Sequence, residues 1–218
     1  MQHIIEHIIL GNGFLLSTDK CIFWQEEKAL ILSDLHLGKS GHFRKAGIPI
    51  PQAVFKEDMQ RLFTLIQSFK PQKIIVVGDL FHSRDNKEHD LFLKWRNDFI
   101  DLPIELVKGN HDILKPDWYK EASITIHPHE LTISDFSFTH DNAGCEPING
   151  QYTFCGHIHP GIIINGLGKQ SLKFPCFYFA ENYAVLPAFG RFTGTHRIEP
   201  KQSDTVFAIV KQDIIKIQ

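Results

Sequence analysis

Seven side chains able to bind a divalent cation recur along this chain where short apolar runs stop. Asp34 and His36 follow the run 29–32, and Asp79 follows 73–77. Asn110, with His111 and Asp112 behind it, follows 104–107. His140 follows 136–139, and His157 and His159 follow 152–155. Mixed carboxylate and imidazole ligation suits Mn, Fe or Zn; Mn is expected, with Fe, Zn or Mg as alternatives. The set is larger than one tetrahedral ion uses. Two ions sharing one carboxylate would use all seven groups, and ions about 3.5–4 Å apart can clamp an in-line displacement at phosphorus. Gly78, Gly109 and Gly156 each stand just before a ligand or its loop, where a side chain would crowd the ions.

The elements that must position these groups are legible from periodicity. Ala29–Leu32, Lys73–Val77, Ile104–Val107, Phe136–Thr139 and Tyr152–Cys155 are short runs bounded by Gly or Asp, the pattern of buried strands. Between the early runs, Gln52–Phe69 keeps a three-four spacing through Phe55, Met59, Leu62, Phe63, Ile66 and Phe69. Asn86–Ile100 repeats it with Phe92, Trp95 and Phe99. Strand and helix alternate there, which predicts parallel pairing. After about residue 123 strands dominate, with turns at Ser134–Asp135, Asn165–Gly166 and Gln212–Asp213, and mostly antiparallel pairing is expected. The expectation is an α/β fold of two packed mixed sheets flanked by helices. In open α/β sheets, sites form beyond the carboxyl ends of strands, where all five groups of ligands fall.

Length and charge narrow the function. A chain of 218 residues suits one sizeable core, so one domain over 1–218 is expected. The formal net charge of -2 gives no basic excess for gripping duplex DNA, which disfavours a DNA-binding module without chemistry. Cys21, Cys145, Cys155 and Cys176 form no CxxC pair and read as reduced thiols. The start MQHIIEHIILGNGFLL lacks a basic segment, and no apolar run approaches the roughly 18–20 residues that span a bilayer. A cytoplasmic protein that does not engage membranes is expected.

The ordered series DLH, GD, GNHD, a lone strand-end His and GHIH, from Asp34 to His159, resembles the calcineurin-like metallophosphoesterases. Each element alone is weak, but all five occur in order. The resemblance implies an αββα sandwich. It implies a first metal on Asp34, His36 and His159, a second on Asn110, His140 and His157, and Asp79 bridging them. His111 would stabilise the transition state or act as general acid, oriented by Asp112, for which capping a turn is an equally open role. SDLHLGKSGHFRKAGIPIP and the later LPAFGRFTGTH are similar to the bacterial ligase-associated DNA-damage-response endonuclease group. That implies a phosphodiester substrate in DNA and, as partners, an ATP-dependent DNA ligase, a helicase and an exonuclease. A phosphatase or pyrophosphohydrolase acting on a nucleotide or nucleotide-linked lipid would use the same metal site. A non-catalytic scaffold would be expected to have lost ligands.

Other residues carry weaker signals. Arg44 and His82 are candidate substrate contacts; surface charge competes with that role for Arg44, and a loop hydrogen bond for His82. Arg191, as a further substrate contact, and His196 enter only through the second resemblance. LGKS at 37–40 resembles the end of a phosphate-binding loop, but the first glycine that loop needs falls at Ser33. HPHE at 127–130 reads as a surface turn.

Overall fold

A computed structural model of the chain describes residues 3–39, 53–82, 87–141, 150–166 and 170–218. Arg44 and Cys145 lie outside them. The N-terminal sheet has seven strands in chain order: β1 (Ile4–Ile9), β2 (Asn12–Ser17), β3 (Cys21–Trp24), β4 (Ala29–Leu32), β5 (Lys73–Val77), β6 (Ile104–Val107) and β7 (Ile124–His127). An antiparallel meander, β1 to β4, turns into a parallel run, β4 to β7. The change follows from the connections. Tight turns join the first four strands, whereas helices α1 (Ala53–Phe69), α2 (Lys87–Asn97) and α3 (Pro116–Glu121) lie between the next ones.

Side chains along β4 alternate between two cores. Ala29 and Ile31 enter the core between the sheets, while Leu30 and Leu32 enter the core under the helices. A sheet buried on both faces needs strands that are apolar throughout, which is why β4 reads ALIL and β5 reads KIIVV. Helix α1 buries Phe55, Met59, Leu62, Leu65 and Ile66. Phe63, expected on that face, is exposed and meets Phe99 beyond α2 instead, with ring centroids 5.9 Å apart. Arg96 is buried, and its guanidinium donates to the carbonyls of Phe99, Ile100, Ala122 and Ser123. It thereby fastens the chain leaving α2 to that leaving α3, with a cation at exposed carbonyl ends.

The second sheet runs β14 (His196–Arg197), β11 (Pro160–Asn165), β12 (Ser171–Phe179), β13 (Tyr183–Val185), β10 (Tyr152–Cys155), β9 (Phe136–Thr139) and β8 (Glu130–Ile133); β15 (Thr205–Val210) and β16 (Asp213–Lys216) join it through β12. Most of its pairs are antiparallel, as expected. The exceptions are β11 with β14 and the ligand-bearing β10, which pairs parallel with both β9 and β13. Parallel pairing puts the carboxyl ends of β9 and β10 side by side. Phe136, Phe138, Phe154, Phe177 and Phe207 pack from this sheet against Phe14, Ile22 and Trp24 of the first. The result is two packed mixed sheets with helices outside; the described helices cover the first sheet. No described helix is long and apolar enough to cross a membrane.

Cys21 and Cys176 are free and buried. Cys155 is disulfide-bonded, which corrects the expectation of four reduced thiols. Excluding a CxxC pair excludes only neighbours in sequence, whereas a disulfide needs nearness in space.

Candidate metal centre

Two groups of metal-competent side chains meet where the carboxyl ends of the two sheets face each other. The first is Asp34, His36 and His159; the second is Asp79, His140 and His157. Within each group the ligand atoms lie within 4.8 Å of one another. Asn110 joins the second, its Oδ1 3.2 Å from His140 Nε2. Asp79 lies between them, with Oδ2 3.7 Å from His36 Nε2 and 3.4 Å from His140 Nε2. The sequence-based ligand set is therefore brought together, with a carboxylate reaching both halves.

The backbone bends to achieve this. Asp34, His36, Asp79, His157 and His159 all have positive φ, between 48° and 68°. A non-glycine residue in that region costs of order 1 kcal/mol, and such strain persists where the surrounding structure enforces it. In the first loop Asp34 and His36, at i and i+2, enter the same cluster, whereas His157 and His159 go one to each. The glycines complete the geometry. A Cβ on Gly78 would collide with the His140 ring, one on Gly109 with the Asp79 carboxylate, and one on Gly156 with Ser33 Oγ and the Asp34 carboxylate.

Hydrogen bonds fix which atoms face inward. His140 Nδ1 lies 3.1 Å from the Val77 carbonyl; donating there leaves Nε2 as the ligand atom. Asp34 Oδ2 accepts from the His157 amide at 3.1 Å and lies 2.6 Å from the Ser33 hydroxyl. Its other oxygen, Oδ1, is buried, has no hydrogen-bond partner among the described residues and lies 3.1 Å from His159 Nε2. A buried carboxylate oxygen without a donor, facing an imidazole nitrogen, is what a cation between them would satisfy. The residues present therefore fit two divalent ions.

The protonation tendencies of the protein groups alone fit a crowded cation site. Burial pushes the His36 imidazole down to about 3. Burial opposes charge on Asp79 as well, but the hydrogen bond and charge of His140 hold its carboxyl at about 2. Burial likewise opposes charge on His140, and its contact with Asp79 outweighs this and lifts it to about 9.

His111 stands beside the ligands. Its amide donates to Asp79 Oδ1 at 2.8 Å, and its half-exposed imidazole has Nε2 4.0 Å from Asp79 Oδ2. His82 reaches the same place, with its ring centroid 4.5 Å from that of His111 and 5.3 Å from that of His36. Asp112 does not orient His111. Its buried carboxylate accepts from the amides of Phe81 and Gly109, at 3.0 and 2.9 Å, tying the Asp79 loop to the Asn110 loop. Burial pushes that carboxyl up to about 7. Arg191 pairs with Glu57 on α1 at 2.6 Å rather than with any cluster residue.

Sequence reasoning missed the strap behind the first cluster. Ala188 bridges Ser33, Phe189 donates to the Ser33 carbonyl at 2.8 Å, and Gly190 donates to the Asp34 carbonyl at 3.1 Å. Helix α1 holds the strap from outside. The Arg61 guanidinium lies 4.0 Å over the Phe189 ring, donates to the Phe189 carbonyl and pairs with Asp58 at 3.1 Å. Asp58 in turn accepts from the Arg191 amide at 3.3 Å. The AFGR segment, singled out only by resemblance, is thus the backing of the first ligand loop. Its glycine is required because a Cβ at Gly190 would meet the Leu35 and Asp34 carbonyls.

Comparison with known proteins agrees with this geometry. The nuclease MPE of Pseudomonas putida superposes with a TM-score of 0.83 at 25% identity, covering 100% of both chains. Yfce, a phosphoesterase from E. coli, aligns with a TM-score of 0.46 at 14% identity, over 86% of this chain and 96% of its own. No curated protein sequence matches significantly. The family model for calcineurin-like phosphoesterases matches residues 28–182, more than half of the chain and every metal ligand named above. The chain belongs to the calcineurin-like phosphoesterase family and is a metal-dependent phosphoesterase.

Proposed function

We propose that the chain is a dinuclear phosphodiesterase acting on DNA, with Mn as the favoured metal. The observation that carries this reading is the pair of clusters sharing Asp79, whose Oδ2 lies within 3.7 Å of a ligand nitrogen in each half. Full-length similarity to a nuclease at a TM-score of 0.83 supports DNA as the substrate. The same reading assigns the protein to cytoplasmic DNA repair, alongside an ATP-dependent DNA ligase, a helicase and an exonuclease.

When bound, two divalent ions supply Lewis acidity at the phosphoryl oxygens and lower the pKa of water. The chain's own groups do the rest. Asp34 and Asp79 would help hold the two ions, and their negative charge would offset the repulsion between them. His140 is held in one ring orientation by the Val77 carbonyl. The His111 imidazole makes no hydrogen bond among the described residues, and it is partly open to solvent beside the Asp79 carboxylate. From there it can hydrogen-bond charge building on an equatorial oxygen, or give a proton to the departing one. The His82 ring lies beside it, with centroids 4.5 Å apart.

The test is a hydrolysis panel with Mn present, comparing a small phosphodiester, a phosphomonoester, a nucleoside diphosphate conjugate and single-stranded DNA. The reading expects the diester and DNA to be cleaved in preference to the monoester. Good monoester or pyrophosphate cleavage with every DNA form untouched would replace it with a phosphatase or pyrophosphohydrolase.

A further inference from the structure

The HPHE turn is not a bland surface feature. Strand β7 pairs parallel with β6, placing His127 opposite Val107. The Lys108 amide then donates to the His127 carbonyl at 2.9 Å. This fixes the Pro128–His129 turn beside Lys108, immediately before the Gly109–Asn110 ligand loop. Both side chains border an open groove of about 380 Å³ whose lining includes Asn110, His140 and His157 of the second cluster. The groove continues the metal centre outward, and at that volume it falls in the range of small-ligand sites rather than of a single phosphate. Lys108 and His129 are exposed, and neither side chain has an ion pair or hydrogen bond among the described residues. Asp141, which follows β9, lies on the second-sheet side of the same groove. The Lys108 ammonium therefore brings a cation to the first-sheet side of the groove, where it can hold an anionic chain.

We infer that Lys108 and His129 form a subsite for the nucleotide next to the scissile phosphodiester, an inference resting on the phosphodiesterase reading above. Lys108 takes the flanking phosphate as a charge-assisted contact. The His129 ring offers a face for the adjoining base, a contact that tolerates any sequence because every base has a π-face. The net charge of -2 gives no overall basic excess, so individual contacts such as these would carry a large share of strand binding.

The experiment uses the full chain loaded with Mn and two substrates: a single-stranded oligonucleotide and bis(p-nitrophenyl) phosphate, which has no flanking nucleotide. The kcat/KM ratio of oligonucleotide to small diester is compared for the wild type, Lys108→Ala, Lys108→Arg and His129→Ala. The expected result is a fall of about tenfold in that ratio for each alanine variant, the size of losing one charged or stacking contact, expressed through the oligonucleotide KM. Lys108→Arg should recover most of it. In Lys108→Ala the slope of log KM against log salt should flatten by about 0.7, the share of one phosphate contact on a single strand. A ratio unchanged in both alanine variants, while the wild type still cleaves the oligonucleotide, overturns the subsite and leaves the phosphodiesterase reading standing. A wild-type chain that cleaves neither substrate overturns that reading and the subsite with it.

Discussion

The two halves of the metal centre are built differently. In the first, Asp34 and His36 are buried and the His159 side chain is only 18% exposed. Its loop is held by the neighbouring strand, by the Phe189–Gly190 strap and, through Arg61 and Asp58, by helix α1. In the second, His140 is buried but Asn110 and His157 are exposed, and the open groove begins there. One half is a fixed anchor and the other a working face. Asp79 belongs to both, which makes it the residue whose loss should erase the distinction.

Asp79→Asn is accordingly expected to have the largest effect, a loss of activity of at least about 10³-fold and more than for any other single ligand. Its isosteric amide keeps the shape while removing the charge between two cations. Steady-state rates alongside metal content test this; near-wild-type activity with both ions retained would refute the bridging role.

His111→Ala lies on the working face and should spare both ions. The expected loss is about 10²-fold for esters with poor leaving groups, with nitrophenyl esters slowed less because their leaving group needs no proton. Equal slowing of both ester types, with metal content intact, would leave His111 an electrostatic role and remove the acid. A fall in metal content would make it a ligand.

Asp58→Ala sharpens the comparison from the anchored side. It removes the carboxylate that holds Arg61 and the Arg191 amide, yet touches no ligand. Metal affinity of the first half should weaken by about 10–100-fold, the usual cost of removing an outer partner, with the second half spared. Mn binding isotherms distinguish the halves, and equal weakening of both would show that the strap does not act selectively.

These contrasts also mark what the sequence can and cannot disclose. The five ligand-bearing strands were legible to the residue, because each is a short apolar run whose polar exit abruptly breaks the pattern. The ligands were legible because Asp, Asn and His recur at those exits in order. The strap was not, since nothing in sequence links Asp58 and Arg61 on a helix to Phe189, 128 residues beyond Arg61; only folding brings them behind Asp34. The parallel pairing of β9 with β10 was missed for the same reason, as strand direction depends on connections through the whole sheet. The first three strands drew no attention because they carry no chemistry. Asp112 shows the limit at a single residue: the sequence left orienting His111 and capping a turn equally open, and both of its oxygens accept from backbone amides 3.0 and 2.9 Å away.

The smallest expected effect concerns strain. His157 is exposed and has a φ of 68°, so His157→Gly relieves an unfavourable backbone while removing a ligand. The metal-free variant should be no less stable than the wild type and up to about 1 kcal/mol more stable, a rise in Tm of roughly 2–4 °C. Binding at the working face should weaken at the same time. A clear drop in metal-free Tm would mean that the His157 contacts outweigh the strain.

The most direct test of the dinuclear site is titration of the metal-stripped chain with Mn, following bound metal per chain together with the electron paramagnetic resonance signal. Two ions per chain at saturation are expected, with a magnetically coupled signal that Asp79→Asn abolishes. Saturation at one ion per chain, or two ions with no coupling in the wild type, would contradict a centre built around a shared carboxylate.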